Sequence, residues 1–322
     1  MSLSDERADQ FRRVLEEGTG EGFIILISQV DPDALAAGFA MREIVRALIG
    51  EDPSIRIAFC GQVGHPQNQA LINFCNLWGQ LTPIEELEPA NGEHVVLVDS
   101  SAVEDSRLPE SWTPVKPAVV IDHHRSELEE EGEDVFYWIE ELGAAATLVV
   151  ELLEALGIEP DSRLALLLAL GIYTDTKALV SSTPRDRDAY GRVTENVRPE
   201  ELNRLIQFPL PASHYENLRA ALGNVADSEG RLVAGVGQMR GGSADDLSAI
   251  ADYLLRRSGV TLVVVWGIID GRVRVSARSN DLSMPLDQFL KSRFGERAAG
   301  AKFTPDGRGE GGALLELDLG IW

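Results

Sequence analysis

The chain is poor in cysteine and in positive charge. Its 322 residues include two cysteines, Cys60 and Cys75, and no Cys-x-x-Cys pair, which argues against a disulfide framework and a zinc knuckle. Lysine and arginine number 29 against 52 aspartate and glutamate residues, a formal net charge of -23. Because a surface of that charge repels polyanions, we do not expect the chain to bind long duplex DNA through a basic footprint.

Long apolar runs are also lacking. The first 20 residues are polar and charged, and no apolar stretch reaches the roughly 18 residues that span a bilayer. We therefore expect a cytoplasmic protein that does not bind membranes. Hydrophobic residues still make up 44% of the chain and charged residues 25%, a balance typical of an ordinary globular protein of two domains.

Short apolar runs alternate with helical patterns through the first half of the chain. Continuous runs such as Phe23 to Ile27 and Val95 to Val98 are typical of strands that are buried on both faces. A helical pattern over residues 34–49 separates the first run from the next one, at 55–60. The alternation predicts an α/β fold with a parallel sheet and helices on both faces of that sheet.

A second pattern begins beyond a region that prolines interrupt at positions 199, 209 and 211. Strands are predicted there at 231–236, 261–269, 273–278 and 313–317, and helices at 245–257 and 285–293. Asp270-Gly271 is a strong hairpin signal between two of the strands. We predict a first domain over 1–195, a helical connector over 196–222, and a smaller mixed α/β domain over 223–322.

Acidic and imidazole side chains follow three of the predicted strands. They are Asp31 and Asp33 after the run 23–27, Asp99 after 95–98, and Asp122, His123 and His124 after 117–121. Ligands bind at the carboxyl ends of strands in open α/β sheets, and oxygen and imidazole donors suit Mn²⁺ or Mg²⁺. Capping of the helix near Ala34 would explain Asp31 or Asp33 alone. The pattern therefore indicates a metal-dependent phosphoesterase.

Four short motifs carry a resemblance to a known family. They are Asp31-Pro32-Asp33-Ala34-Leu35, Asp99-Ser100-Ser101, Asp122-His123-His124 and Gly171-Ile172-Tyr173-Thr174-Asp175-Thr176. In this order they resemble the motifs of the DHH phosphoesterase superfamily. The segments 275–279 and 298–300 are similar to the DHHA1 substrate domain of RecJ-like and oligoribonuclease-type members. The resemblance covers nearly the whole chain.

The resemblance implies a site for two ions of Mn²⁺ or Mg²⁺. Its ligands would be Asp31, Asp33, Asp99, His123 and Asp175, of which Asp99 would bridge the two ions and Asp99 and His123 would count as catalytic. His124 would contact the scissile phosphate or its leaving oxygen. In the second domain Arg278 would clamp a substrate phosphate, with Ser276 and Ser279 as further donors; the alternative for Arg278 is a surface ion pair. Its neighbour Arg274 is expected to be merely solvated.

The implied activity is hydrolysis of a small phosphorylated nucleotide, either an adenosine bisphosphate or a short single-stranded oligoribonucleotide. A pyrophosphatase, a polyphosphatase and a cyclic-dinucleotide phosphodiesterase stay open, because the second domain selects the substrate. A nucleotide-binding module without catalytic activity stays open as well. The sequence also leaves open whether the protein is a monomer or a homodimer.

The chain departs from the family pattern at two places. Ile27 stands where most members carry a histidine, and Gln29 is the nearest polar residue. An amide oxygen lacks the affinity of imidazole for transition metals, so we expect this part of the site to prefer a harder ion. The glycine-rich stretch that usually precedes Ala298-Ala299-Gly300 is reduced to residues 294–297, which contain no histidine.

Overall fold

The structure is a computed structural model. It describes residues 4–17, 22–50, 54–61, 63–88, 93–100, 109–112, 115–124, 135–239, 244–304 and 307–316. The chain divides into two compact units, Met1–Val63 with Gln67–Phe208, and Gly64–Pro66 with Pro209–Trp322. The predicted connector over 196–222 is thus divided between the two units. Ser101 of the second motif lies outside the described residues.

The first unit is built on a six-stranded parallel sheet. Its elements are α1 (Asp5–Glu16), β1 (Phe23–Ile27), α2 (Pro32–Ile49), β2 (Ile55–Phe59), α3 (Pro66–Phe74), β3 (Leu81–Pro83), β4 (His94–Val98), β5 (Val119–Asp122), β6 (Phe136–Ile139), α4 (Ala145–Leu156), α5 (Ser162–Asp175), α6 (Pro184–Thr194) and α7 (Pro199–Ile206). The strand order is β3-β2-β1-β4-β5-β6, and every pair is parallel. The predicted α/β fold is confirmed.

Both faces of this sheet are buried, which explains the continuous apolar runs. Ile25 and Ile27 of β1 pack in a core that includes residues of α1 to α5. Ile24 and Leu26 pack on the opposite face, in a core that includes Trp112. Among the described residues, the α-helices contribute to the first core, whereas 3₁₀ turns at 84–86 and 110–112 contribute to the second.

Helices α2 and α5 pack closely at the ends that carry predicted metal ligands. A Cβ atom added at Gly171 of α5 would lie 3.1 Å from the Cα of Asp33 and 3.1 Å from the carbonyl oxygen of Pro32. A larger residue at position 171 would push the two helices apart. The glycine therefore fixes the start of α2 against the last turn of α5.

The second unit is a mixed sheet with helices. Its elements are α8 (Ala212–Gly223), β7 (Val225–Ser228), β8 (Arg231–Gln238), α9 (Ala244–Leu255), β9 (Leu262–Ile269), β10 (Arg272–Ser279), α10 (Leu286–Phe294), β11 (Ala299–Phe303) and β12 (Gly309–Glu316). The order is β11-β12-β10-β9-β8-β7, with β8 and β9 parallel. Asp270 and Gly271, at φ 50° and 74°, form the predicted hairpin turn between β9 and β10. No described helix of either unit has the length and apolar character needed to cross a membrane.

Candidate metal centre

The carboxyl edge of the first sheet brings together side chains from four elements. Asp31 caps α2, and its Oδ1 accepts the N–H of Ala34 at 2.9 Å. Asp99 directly follows β4, Asp122 ends β5, and Asp175 ends α5. Because β1, β4 and β5 are neighbouring parallel strands, their carboxyl ends meet at one edge. Asp99 adopts a left-handed backbone conformation there, with φ 55°.

The ring of His123 lies among the carboxylates of Asp33, Asp99 and Asp175. Its Nε2 is 3.3 Å from Oδ1 of Asp99 and 3.3 Å from Oδ2 of Asp175, and 3.9 Å from Oδ2 of Asp33. Its Nδ1 lies 3.1 Å from the carbonyl oxygen of Leu142, which can only accept a hydrogen bond. The proton of the neutral ring therefore belongs on Nδ1, and Nε2 points a lone pair at the acids.

Two buried atoms at this point lack a hydrogen-bond partner within the part of the chain that the structure describes. They are Oδ1 of Asp99 and Nε2 of His123, and in the neutral form of the ring both are acceptors. Burial alone would lower the pKa of His123, but Asp99 and the charges of Asp33 and Asp175 raise it to about 10. In the metal-free protein Nε2 of His123 therefore carries a proton. This proton occupies a position that suits a metal cation.

Two overlapping groups of side chains could hold a metal ion. They are Asp33, His123 and Asp175, and Asp99, Asp122, His123 and His124, and within each group the ligand atoms lie within 4.8 Å of one another. Carboxylate oxygens and one or two imidazoles form a donor set that suits Mn²⁺ or Mg²⁺. These residues fit such an ion. The structure thus brings together four of the five predicted ligands.

Asp33 is held in place by the start of a second helix. Its Oδ2 accepts the N–H of Ala145 at 2.7 Å and its Oδ1 accepts the N–H of Ala146 at 2.9 Å, both in the first turn of α4. The carboxylate is 1% exposed. Burial raises the pKa of Asp33, and the negative charges of Asp99 and Asp175 raise it further. Backbone hydrogen bonds fix the orientation of this carboxylate before any ion binds.

His124 is oriented by a buried acid and faces outwards. Its Nδ1 lies 2.8 Å from Oδ1 of Asp122, which also accepts the backbone N–H of His123 at 2.8 Å. The hydrogen bond with Asp122 raises the pKa of His124. The His124 side chain is 56% exposed, whereas that of Asp122 is 1% exposed. The ring of His124 is therefore accessible to a substrate that approaches the edge of the sheet.

Asp31 is the predicted ligand whose segment lacks the imidazole of the family pattern, because Ile27 stands at that position. It belongs to neither group of ligand atoms, and the fully buried Ile27 packs into the core. Burial and, after it, the negative charges of Asp99 and Asp175 raise the pKa of Asp31 to about 7. Ionisation of every carboxyl group of the metal-free centre would thus cost free energy.

The raised pKa of Asp31 predicts how stability depends on pH. A carboxyl whose pKa rises from 3.8 in the unfolded chain to about 7 in the folded one stabilises the fold below pH 4 and loses that contribution as pH rises through 7. We expect Asp31→Asn, which keeps a capping side chain, to gain melting temperature relative to the metal-free parent protein by several degrees between pH 4 and pH 8. Thermal melts in chelator measure the difference, and a difference that is constant with pH would contradict this account.

A strained turn follows Asp175. Lys177, Ala178 and Leu179 have φ of 52°, 59° and 66°, and each such residue costs on the order of 1–2 kcal/mol. The turn is held by Thr176, whose carbonyl oxygen accepts the N–H of Ser181 at 2.9 Å and whose Oγ1 accepts the N–H of Leu179 at 3.2 Å. The chain therefore reverses directly behind Asp175, and this reversal sets the point at which α5 ends.

The residues of the second unit that are predicted to bind phosphate already form hydrogen bonds within the protein. Arg278 donates from Nε to Oδ1 of Asp252 at 2.9 Å and from Nη1 to Oγ of Ser276 at 3.3 Å. An ion pair on the protein itself thus occupies part of its guanidinium. Ser279 is fully buried, and its hydroxyl donates to the carbonyl oxygen of Thr261 at 3.1 Å. The hydroxyl of Ser279 is thus engaged with the backbone of the strand beside it.

A cavity of about 380 Å³ in this unit places further polar residues beside the predicted Ser276. Its lining also includes Ser248, Arg274 and Arg297, and the hydroxyl oxygens of Ser248 and Ser276 lie 3.1 Å apart. Arg274, which the sequence leaves as merely solvated, thus lies beside Ser276 in this lining. Positions 274, 276 and 278 alternate along β10 and share one face of the strand, and this spacing is the signal that could have identified Arg274.

Comparison with known proteins gives three findings. Residues 23–172 match the model of the DHH family, N-terminal domain. The uncharacterized protein MJ1633 of Methanocaldococcus jannaschii is 28% identical over 304 residues, which cover 92% of this chain and 61% of that protein. A probable manganese-dependent inorganic pyrophosphatase of Streptococcus pyogenes serotype M5 is 25% identical over 205 residues, which cover 63% of this chain and 61% of that protein.

The chain thus spans about three fifths of the length of these two curated relatives. Among solved structures, an exopolyphosphatase-related protein from Bacteroides fragilis superposes with a TM-score of 0.73 and covers 99% of this chain and 93% of its own, at 14% identity. At that identity the likeness concerns the fold alone.

Proposed function

From the match of residues 23–172 to the model of the DHH family, N-terminal domain, we propose that the protein is a metal-dependent phosphoesterase that hydrolyses small phosphorylated nucleotides. One observation carries the proposal. Nε2 of His123 and Oδ1 of Asp99 are buried 3.3 Å apart, and no hydrogen-bond partner of either lies within the described residues. Two acceptors at this distance are stable only with a proton or a cation between them.

In this proposal the acids and His123 hold the metal, and His124 acts on the substrate. Bound divalent ions supply a nucleophile from water at neutral pH and stabilise charge on the leaving oxygen. Asp33 keeps its orientation through the N–H groups of Ala145 and Ala146. His124 donates a proton from Nε2 to the leaving oxygen, while Asp122 holds its Nδ1 at 2.8 Å.

The cavity of the second unit supports a substrate with a terminal phosphate. Guanidinium groups bind phosphate oxygens in pairs, and the lining offers Arg274 and Arg297 beside the hydroxyls of Ser248 and Ser276. A volume of about 380 Å³ suits a small ligand. We propose that Arg274 takes the clamping role that the sequence assigns to Arg278, because Asp252 already engages Arg278.

Inorganic pyrophosphate is the second candidate substrate, and one observation favours it. The described residues that line the cavity include no aromatic side chain on which a base could stack. A ligand recognised through phosphate alone would fit such a lining. The relative from Streptococcus pyogenes is named a probable inorganic pyrophosphatase, in agreement with this alternative.

A substrate panel tests the proposal. Purified full-length protein would be incubated with an adenosine bisphosphate, short oligoribonucleotides, cyclic dinucleotides, polyphosphate and pyrophosphate, with Mn²⁺ and Mg²⁺ in separate reactions. We expect release of phosphate or mononucleotide from the bisphosphate or the short oligoribonucleotide. Preferred turnover of pyrophosphate would favour the second candidate. Absence of turnover with every substrate in protein that binds Mn²⁺ would contradict both and favour a binding module.

Substitutions in β10 distinguish the role of Arg274 from that of Arg278. We expect Arg274→Ala to raise KM about 10-fold with little change in kcat, because it removes a bidentate phosphate contact made equally in the ground and transition states. Arg272→Ala is the matched control, since Arg272 lies on the same strand and pairs with Glu316 outside the cavity. Steady-state kinetics on the substrate found in the panel measure the effect. A larger increase of KM in Arg278→Ala than in Arg274→Ala would return the clamping role to Arg278.

A further inference from the structure

The first unit contains a second cavity that the metal centre does not use. It has a volume of about 650 Å³ and is lined by residues of α2, of the 77–80 turn and of the start of α5, among them Arg42, Glu43, Arg46, Gln80, Asp161 and Arg163. Asp33 and Asp175 lie at the opposite ends of the same two helices. The cavity is therefore separate from the metal centre but shares its two supporting helices.

Two arginines of α2 share a single carboxylate in this cavity. Oε1 of Glu43 lies 3.0 Å from Nε of Arg42 and 3.0 Å from Nη1 of Arg46. Arg42 is largely buried, with 13% of its side chain exposed, and its guanidinium stacks on the ring of Phe39 at 4.6 Å and donates to Oε1 of Gln80 at 2.8 Å. The position of Arg42 is thus set by packing before any ligand arrives.

The third arginine, Arg163, adds a guanidinium from α5 to the two from α2. Arg163 is exposed, and within the described part of the chain it forms no ion pair. Of the acids beside it, Asp161 is engaged as the cap of α5, since its Oδ1 accepts the N–H of Leu164 at 2.8 Å. Burial lowers the pKa of Arg42, and although Glu43 raises that pKa, the charges of Arg46 and Arg163 lower it further. An anion would relieve this repulsion.

The balance of charge in the lining differs from that of the whole protein. Three arginines and three acids, the latter including Glu159, line the cavity, whereas the chain carries 29 basic and 52 acidic residues. A small anion that reaches this protein thus meets a less repulsive surface here than over most of the molecule. Guanidinium groups on two facing helices match the oxygens of a phosphate group.

The shared helices link this cavity to the metal centre. At a rise of about 1.5 Å per residue, Arg46 lies about 20 Å from Asp33 along α2, and Arg163 lies about 18 Å from Asp175 along α5. Gly171 brings α5 against the backbone of Asp33 without space for a side chain. A ligand that draws the two helices together at the arginines would therefore alter the distance between two metal ligands.

We propose that this cavity binds a small phosphate-bearing anion, and that its occupancy changes the metal affinity of the centre. The volume lies within the range of small-molecule sites. Coupling between two sites is reciprocal, so metal binding changes anion affinity by the same factor. The inference that this coupling regulates activity rests on the proposed function. Anion binding at the arginines does not rest on it. The anion is either free inorganic phosphate, a product of hydrolysis, or the phosphate of a nucleotide.

Calorimetric titration of the metal-free full chain with inorganic phosphate and with adenosine 5′-monophosphate tests the binding. In protein that carries Arg274→Ala, which removes the proposed phosphate contact of the second unit, we expect one saturable site, weakened at least 10-fold by Arg163→Ala and unchanged by Arg198→Ala, an exposed arginine outside the lining. Tighter binding of the monophosphate would identify a nucleotide site, and equal binding a phosphate site. Absence of saturable binding, or equal affinity in the parent protein and Arg163→Ala, would overturn the proposal.

Titration of free Mn²⁺ by electron paramagnetic resonance tests the coupling. With saturating monophosphate we expect the Mn²⁺ dissociation constant to shift about 5-fold or more in the parent protein and in Arg198→Ala, and to stay constant in Arg163→Ala. A shift that persists in Arg163→Ala would place the effect at the metal centre and overturn the coupling. Neither titration depends on turnover, so a failed substrate panel and a failed anion site are distinguishable.

Discussion

Asp99→Asn is expected to reduce turnover roughly 10³-fold or more, because its buried carboxylate lies 3.3 Å from Nε2 of His123 and would contribute charge to the bound ion. The loss of one charge reduces metal affinity and the stabilisation that the metal provides. Asparagine is the suitable replacement, since position 99 adopts φ 55° and asparagine tolerates the left-handed region better than alanine does. Initial rates over a range of Mn²⁺ concentrations measure the effect.

The matched control is Asp188→Asn, an exposed acid on α6 of the same unit. Parent protein and control should bind Mn²⁺ alike and gain similar melting temperature from it, whereas Asp99→Asn should gain little. Full turnover by Asp99→Asn at saturating Mn²⁺ would show that Asp99 is not a metal ligand, and would remove the main support for the proposed centre.

His124→Asn is expected to lower kcat about 10²- to 10⁴-fold while leaving Mn²⁺ affinity nearly unchanged, the range usual for loss of a positioned general acid. The side chain is 56% exposed and hydrogen-bonded through Nδ1, so its removal leaves no cavity in the core. Single-turnover rates and Mn²⁺ titrations on the same preparation separate the two quantities. An equal loss of metal affinity and rate would instead make His124 a metal ligand.

Asp122 acts through His124 in this account. Asp122→Asn keeps the shape of the side chain but weakens the hydrogen bond that holds Nδ1, so we expect kcat to fall while KM stays constant. A variant in which both substitutions are combined should be no slower than His124→Asn alone. Additive losses in the double variant would show that Asp122 contributes by a route that does not pass through His124.

Several residues of the candidate metal centre could be predicted from the sequence because they directly follow an apolar strand. Asp99 and Asp122 close runs whose continuous hydrophobicity marks buried parallel strands, and such strands end at one edge of a sheet. Asp175 is different, since it ends a helix, and its place beside His123 depends on how α5 packs on α2. For Asp175 the family resemblance supplied what periodicity could not. The ligand roles themselves stay predictions.

Other parts of the fold could not be predicted with the same ease. Helix α1 has a charged exterior, yet Ala8, Phe11 and Leu15 are buried at helical spacing, a signal hidden by the high polarity around them. In the second unit, the engagement of Arg278 by Asp252 depends on the packing of α9 against β10. Tertiary contacts of this kind leave no local trace in the sequence. The sequence therefore could not show that Asp252 engages Arg278 and not Arg274.

The turn behind Asp175 has a consequence for attempts to engineer this protein. Alanine at position 178 lies in the left-handed region and is exposed, so glycine would remove its steric penalty without emptying any packed space. Glycine also populates many other conformations, so the same exchange would weaken the restraint that the turn places on the end of α5. Thermostability and the precise placement of Asp175 are thereby opposed, so a substitution chosen at this position for stability alone would loosen the geometry of the candidate metal centre.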